Sequence, residues 1–448
     1  MKKFLALMLT LVMLLSLVAC GSDTKNEEPK TDDAPKTETP ADPGEEAQTI
    51  KVGVLAPLTG GSSAQGQYQI DAWEAYLAYI NDKGGVEGAD GTKYTLEMVV
   101  ADTETTPDVG VTAYERLVTK EDVVCVLGTY NSNVASACAP LAEKYQIPFI
   151  LCNSVADAIC QSPSKYVFRP NNSDSTSLDF YPTFYKWLNE QRGTPYTKAA
   201  FITDGSDWGQ SMMAQNRDIF FPAAGWECVL VEEIQANSAD LSSSINKIKN
   251  SGAEILVPAL PNVSDIVLLA QQLQEYNVEI DVASGGGGAT DPMFQVNAGE
   301  SVDYWLAGCG FWAAGQAAMS AKGQEMADKY QAELGYDFSE PWVNAWLGMG
   351  TFADALSRAA SADPEDIAVA LKATDITRDN DPYEALLFKT IERVAFDQDG
   401  WGSGLYNCNP YESLQVVQFV DGEQKMVFPS PEGYDNPIVW PMPAWNER

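Results

Sequence analysis

A two-lobed α/β protein, each lobe built on a doubly wound parallel sheet and the lobes joined by several chain crossings, is the fold class the sequence predicts. Apolar strand-like runs alternate with amphipathic helical stretches from residue 50 to Leu151, the pattern of a parallel sheet covered on both faces. The alternation breaks at Tyr166-Val167-Phe168-Arg169-Pro170-Asn171 and starts afresh from 179 to 284. Helices and short strands beyond Gly323 then return the chain to both halves, so more than one segment crosses between lobes and a hinged cleft results.

In the first series, 50–58 is a strand and 59–65 a Gly/Ser loop. Gly66 opens a helix with Ile70, Trp73, Leu77 and Ile80 at helical spacing. A second strand, 94–101, ends at Asp102, and Pro107 starts the next helix. The third strand, 123–127, runs into the polar loop Gly128-Thr129-Tyr130-Asn131-Ser132-Asn133, then a helix carrying Val134, Cys138, Leu141 and Tyr145 on one face, then a strand at 148–151. That loop lies at a strand's carboxyl end and a helix N-terminus, where free N–H groups and the helix dipole favour an anion. Asn131 and Ser132 make it a candidate carboxylate site; the same residues are also the commonest helix caps.

The second series reads as helix 179–188, strand 199–203, the loop Asp204-Gly205-Ser206-Asp207-Trp208-Gly209, a helix to Phe221 and strand 228–234. A helix capped by Ser238, strand 253–259, helix 265–276 and strand 280–284 complete it. Helices at 324–334, 341–359 and 364–373 follow, then strands at 394–396 and 414–419 with an Asp397-Gln398-Asp399-Gly400 turn. Trp73 and Trp346 fall on apolar helix faces and read as core. Trp208, in a polar loop at a strand end, reads as a cleft wall.

The 448-residue chain is 45% hydrophobic, enough for two cores, and carries a net charge of −35, which makes nucleic acid an improper partner. It has no histidine, which removes Ser-His-Asp and Cys-His nucleophile pairs and His metal sites; no metal and no cofactor are expected. The Asp204/Asp207 pair has the residue types of a glycosidase couple, but loop capping accounts for both. Residues 1–20 combine Lys2-Lys3 with an apolar core and end in Leu17-Val18-Ala19-Cys20, similar to the bacterial lipoprotein box, so Cys20 is expected to carry a lipid anchor to the membrane. Residues 21–48, polar and Pro-rich, are expected to be a disordered tether. Of the other seven cysteines at least one is unpaired, and Cys152 and Cys160 bracket a loop short enough to bridge.

Together the motifs Val52-Gly53-Val54-Leu55-Ala56-Pro57-Leu58-Thr59-Gly60 with Gly66, Asn81, Asp102, Val126-Leu127-Gly128, Ile147-Pro148-Phe149-Ile150 and Phe168-Arg169 resemble the type I extracytoplasmic solute-binding proteins of ABC importers, specifically the branched-chain amino acid receptor family, over residues 50–430. The resemblance implies two Rossmann-like lobes joined by a multi-strand hinge, periplasmic-binding-protein-like type I: 50–169 plus 312–390 as lobe 1, and 172–308 plus 391–448 as lobe 2. It implies a small solute and ABC permease subunits as partners, no enzymatic activity, and ligand contacts at Gln65, Ser132, Asn153, Ser154 and Val155 in lobe 1 and at Trp208 and Asn262 in lobe 2. Trp342 falls where the family places an aromatic near the ligand's apolar part. Amino acid binders of the family carry a Glu after the last second-lobe strand, and here that place falls near Gly286 in a run of four glycines. Either Asp204, Asp207 or Asp291 replaces it, or the ligand has no α-amino group. A carboxylate or neutral polar ligand with an apolar or aromatic body is the expectation, with a sensor domain or a secreted hydrolase as alternative functions.

Overall fold

The computed structural model describes residues 47–178, 180–311, 320–389, 391–396, 404–412, 414–429 and 437–448. The leader, Cys20, most of the tether and the 397–400 turn lie outside them. The first strand begins at Gln48, the last residue of the stretch expected to be a tether.

The first sheet is built from β1 (Gln48–Ala56), β2 (Val86–Glu87), β3 (Lys93–Asp102), β4 (Cys125–Gly128), β5 (Phe149–Ile150) and β6 (Val167–Phe168), with α1 (Ser63–Asp82), α2 (Pro107–Lys120) and α3 (Ser132–Tyr145) between them. Its order is β2-β3-β1-β4-β5-β6, parallel except for the short β2 edge. The chain leaves β6 through α4 (Phe180–Arg192) and builds a second sheet from β7 (Lys198–Asp204), β8 (Glu227–Ile234), β9 (Ile255–Ala259), β10 (Asp281–Ser284) and β11 (Leu306–Cys309), with α5 (Asp207–Gln215), α6 (Phe221–Ala224), α7 (Ser242–Asn250), α8 (Val263–Glu275) and α9 (Pro292–Ala298). It then returns as α10 (Ala321–Leu334), α11 (Glu340–Arg358), α12 (Pro364–Lys372) and the hairpin β12 (Asp375–Thr377) with β13 (Arg393–Ala395). It crosses again to add β14 (Gln415–Val420) and β15 (Glu423–Phe428), antiparallel, beside β11. The second sheet runs β15-β14-β11-β10-β9-β7-β8.

Without their antiparallel additions, both sheets have the order 2-1-3-4-5. Adjacent connections leave in opposite directions between the first and third parallel strands, which opens a crevice at the strand ends. The inner strands β4, β9 and β10 are buried on both faces, which is why they read as apolar runs rather than alternating ones. Two buried clusters flank the first sheet. One holds Val52, Trp73, Trp342, Trp346 and Phe388, and the other Leu55, Tyr114, Leu117 and Phe149. A third cluster, with Phe201, Val257, Leu269, Trp305 and Val416, surrounds the second sheet.

Two expectations need correction. Ile391, Val394 and Phe396 are packed in the core of lobe 1, because β13 pairs with β12; the last return to lobe 2 therefore starts after Asn409, not at 391. Ser238 does not cap a helix: its hydroxyl donates to the Gln235 carbonyl, and α7 begins four residues later beside Asp240, whose carboxylate accepts from the Ser242 N–H at 2.9 Å.

The crossings are tied together. Arg169 N–H donates to Asn407 O at 2.9 Å and Asn409 N–H to Arg169 O at 2.8 Å, setting Arg169 opposite Cys408. The Asn409 amide adds a bond to Pro170 O at 3.0 Å.

Candidate binding cleft

The crevices of the two sheets face one another across a half-open cavity with about 730 Å³ of empty space, the solvent at its mouth included. Lobe 1 contributes Tyr130 to Asn133 from the β4–α3 loop, Asn153 and Val155 from beyond β5, and Glu340 from the start of α11. Lobe 2 contributes Ser206, Trp208 and Met212 from β7–α5, Pro261 from β9–α8, and Gly285 to Gly287 with Thr290 from beyond β10. Asn172, Asp174 and Leu414 of the crossings form the hinge end.

At the lobe 1 wall, Asn131 occupies the cap position of α3 but makes no capping bond. Its amide donates instead to Ser62 Oγ at 3.0 Å, and its Oδ1 is buried without a partner. Ser132, buried at the first turn, accepts from Ala156 N–H at 3.4 Å, a long contact. Val134 N–H is met by Asn133 Oδ1 at 3.0 Å, so the helix start offers the cavity the Ser132 hydroxyl and the positive end of the α3 dipole, an anion-binding arrangement. Asn153 Oδ1 accepts from Gln69 Nε2 at 3.0 Å, which holds that side chain at the wall.

At the lobe 2 wall the glycine run makes room for an aromatic ring. Gly287 has φ +65°, and a Cβ there would stand 2.7 Å from the Trp208 ring and from Leu260 O. A Cβ on Gly285 would meet Met212 Cε at 2.8 Å. A side chain at 287 would therefore displace Trp208, and one at 285 would displace Met212.

Asn131, Ser132, Asn153, Val155, Trp208 and Gly286 come together at the cavity. Four expected contacts do not reach it. Gln65 is in the first turn of α1 and donates from Nε2 to Asp291 Oδ2 at 3.0 Å, tying lobe to lobe. Ser154 turns inward and donates to Thr129 O at 2.9 Å. Asn262 lies in the neighbouring crevice, accepting from Ser62 Oγ at 3.1 Å and donating to Asp265 Oδ2 at 3.0 Å. Trp342 is fully buried, stacked on Phe338 with centroids 3.9 Å apart and on Trp346 at 5.7 Å; it is core, because α11 is apolar on every side for most of its length.

None of the three aspartates considered as replacements lines this cavity. Asp204 Oδ1 accepts from the Ser206 N–H at 3.1 Å within its own loop. Asp207 lies at the first position of α5. Asp291 accepts from Gln65, Tyr68 and Met293 N–H. The acids that do line it are Asp174 and Glu340. Asp174 is 3% exposed and its Oδ2 has no partner. Burial and then the Asp157 carboxylate push it well above the usual carboxylate range, against a Ser211 hydrogen bond and the Arg169 charge. Burial pushes Glu340 up to about 7, with Lys389 opposing and Glu412 adding. Its Oε1 accepts from Gly310 N–H at 3.1 Å. Lys389 and Glu412 are paired and sealed from solvent behind it, and Lys389 also donates to Asn344 Oδ1 at 2.9 Å. Neither acid stands in a motif. They reach the cavity because a crossing segment and a helix start end at the same hinge, and the sequence carries no local signal of that meeting.

A two-lobed α/β protein with both switch points turned onto one cavity has the architecture of a protein that holds a small solute between its lobes. Residues 49–395 match the family model described as periplasmic binding protein, and the chain belongs to that family. It is 25% identical over 396 residues to the Leu/Ile/Val-binding protein homolog 7 of Brucella abortus (strain 2308), covering 85% of this chain and 91% of that one. Among solved structures it is similar to a leucine binding protein LivK from Thermotoga maritima (TM-score 0.70, 19% identity, 84% and 97% of the two chains). It is also similar to the branched-chain amino acid transporter substrate binding protein LivJ from Streptococcus pneumoniae in complex with isoleucine (0.70, 20%, 85% and 99%). A third is a solute binding protein from R. palustris in complex with benzoate (0.68, 18%, 85% and 95%). The chain is thus a non-enzymatic, extracytoplasmic periplasmic binding protein with the type I fold. No helix among the described residues is long and apolar enough to cross a membrane.

Proposed function

We propose that this chain is the receptor of an ABC importer, held at the membrane by lipidated Cys20, and that it closes on a dipolar solute: a carboxylate at Ser132 and the α3 start, a cationic nitrogen at Asp174 and Glu340, and an apolar or aromatic body along Trp208. The observation that carries this reading is the polarity of one cavity, with an open helix N-terminus at one wall and unpaired acid at the hinge end. The charges near that end are Asp157, Asp174 and Arg169 on one side and Glu340, Glu412 and Lys389 on the other, two carboxylates to one cation each time. A buried carboxylate without a counter-charge is costly, and a ligand cation relieves that cost. Relatives with the fold hold isoleucine or benzoate, so the fold does not choose between amine-bearing and amine-free solutes; the hinge acids favour the amine.

The test is a thermal-shift series of matched pairs, leucine with 4-methylpentanoate and phenylalanine with 3-phenylpropanoate, on wild type and Asp174→Asn. Binding raises the melting temperature by mass action. The amine member of a pair should bind at least about tenfold tighter, and Asp174→Asn should erase most of that preference. Equal shifts from the deaminated partners would remove the cationic half of the proposal. Affinity for the amine should rise with pH through about 7, because Glu340 must be ionised to meet a cation.

A further inference from the structure

We propose that Cys160 and Cys408 are joined by a disulfide in the exported protein, and that this bond pins the last lobe crossing to lobe 1 beside Arg169. Cys160 ends the turn Asp157–Cys160 and Cys408 lies in the crossing segment; both are buried, at 2% and 6% exposure. The segments are in register independently of the thiols. Tyr406 N–H donates to Cys160 O at 2.9 Å, and the Arg169 backbone bonds on either side of Cys408. Both cysteines sit in one buried cluster, Arg169 Nη1 lies 3.8 Å from Cys408 Sγ, and the Cys408 thiol donates to Tyr406 O at 3.5 Å. Positions 160 and 408 are about 250 residues apart, so the bond would close a long loop.

The chemistry of the pair differs from that of the other described thiols. Burial pushes Cys138 and Cys152 up to about 12 and Cys125 well above its ordinary value. The neighbouring Cys408 thiol, and then the Arg169 charge, pull Cys160 below its ordinary value against its burial. In the docked state Cys160 is thus the more readily ionised of the two, with Cys408 beside it. The oxidant is an external disulfide, R–S–S–R, of the kind an oxidising compartment supplies. The Cys160 thiolate attacks one sulfur and expels R–S⁻, which takes up a proton. The Cys408 thiol loses its proton and attacks Cys160 Sγ, expelling the second R–S⁻. Two thiols and one disulfide give one disulfide and two R–SH. Burial of both sulfurs places the exchange before residues 404–409 dock. The expected Cys152–Cys160 bridge is not formed: Cys152 packs on the α11 side of the sheet, where its Sγ would stand 2.6 Å from a Cβ on Gly348, and Cys160 belongs to the opposite core.

The experiment uses the full chain exported with its own leader in a bacterial host. Thiols are alkylated under denaturing, non-reducing conditions and the peptides mapped by mass spectrometry. A peptide pair joining Cys160 to Cys408, with Cys125, Cys138 and Cys152 alkylated, is the expected result. Reductant should then lower the melting temperature by about 5 °C or more, and the Cys160→Ser/Cys408→Ser double variant should melt like reduced wild type with or without reductant. Alkylation of both residues in the exported protein, or a bond from either to another cysteine, Cys309 included, overturns the proposal. The mapping on unaltered protein decides even where the variant fails to fold.

Discussion

The loops after β4 and β7 face each other across the cavity, and each starts a helix with small polar residues, yet only in the second does the cap residue's side chain bond the helix start, since Val134 N–H at the start of α3 is met by Asn133 rather than by the cap residue Asn131. After β7, Asp204 accepts from the Ser206 N–H and Ser206 Oγ accepts from Gly209 N–H at 3.1 Å, so the start of α5 is capped from within. After β4, Asn131 gives its amide to Ser62, and the start of α3 is left turned to the cavity. Residue types that read alike in the sequence are divided by where their hydrogen bonds go. Lobe 1 offers polar side chains and an open helix start; lobe 2 offers Trp208 lying on bare glycine backbone. The first is built to grip and the second to cover.

The largest effect that tests this division lies outside the cleft. Trp342→Ala removes a fully enclosed ring that stacks on Phe338 and Trp346, and should lower folding stability by about 3–5 kcal/mol. Solute affinity of the folded fraction should stay within about twofold, since a side chain that does not line the cavity contributes no contact to the ligand. Denaturant melts with calorimetric titration check both. A large loss of affinity at unchanged stability would return Trp342 to the ligand and break the assignment of the covering role to lobe 2.

The two walls should differ next. Trp208→Ala should weaken binding by about 2 kcal/mol, roughly thirtyfold, through lost apolar cover. Ser132→Ala should cost about 1–1.5 kcal/mol, near tenfold, as one hydrogen bond to a charged group is lost. Neither should move stability by more than about 1 kcal/mol, because both side chains face a cavity. If Ser132→Ala leaves carboxylate affinity unchanged, the grip belongs elsewhere.

These residues also show what was legible before the fold was known. Parallel strands buried on both faces are runs of four or five residues at β4, β9 and β10 and the last five of β1, so both βα series and their loops could be read in order. Strand-end loops are where such sheets bind, which put Asn131, Ser132, Asn153 and Trp208 at the cavity. One residue's difference in side-chain direction sent Ser154 inward while its neighbours Asn153 and Val155 face out, and periodicity does not resolve that in an irregular loop. Trp342 was misplaced because α11 is buried over most of its circumference, so spacing cannot separate core from cleft. Asp174 and Glu340 were missed because contacts between crossings depend on how lobes meet, which no local pattern encodes.

The smallest effect concerns the gap between the lobes, and it separates closure from grip. Asp291 in lobe 2 accepts from Gln65 and Tyr68 in lobe 1 at 3.0 and 3.3 Å, and burial pushes it up to about 6, against the hydrogen bonds from Met293 N–H, Tyr68 and Gln65. Opening the lobes would return it towards its ordinary 3.8. A carboxyl with a higher pKa in the closed state stabilises that state at low pH, and the gain is lost as pH rises through 6. Between pH 7 and pH 5 the ligand-free closed population should therefore gain roughly tenfold relative to the open one. The groups facing Asp291 are Tyr68, itself pushed upward by burial and by Asp291, and the uncharged Gln65, so no second titration in that window opposes it there. Glu340, which titrates near 7 at the hinge end, is separated by a control: Asp291→Asn should remove the pH dependence of closure and leave the pH dependence of ligand affinity in place. Small-angle scattering of the ligand-free protein at pH 5, 6 and 7 reads the first, and titration calorimetry over the same range reads the second. The two should run in opposite directions, closure favoured by acid and affinity for an amine favoured by base. Parallel trends, or a dependence that survives in Asp291→Asn, would mean that the mouth and the hinge end of the cavity titrate as one unit.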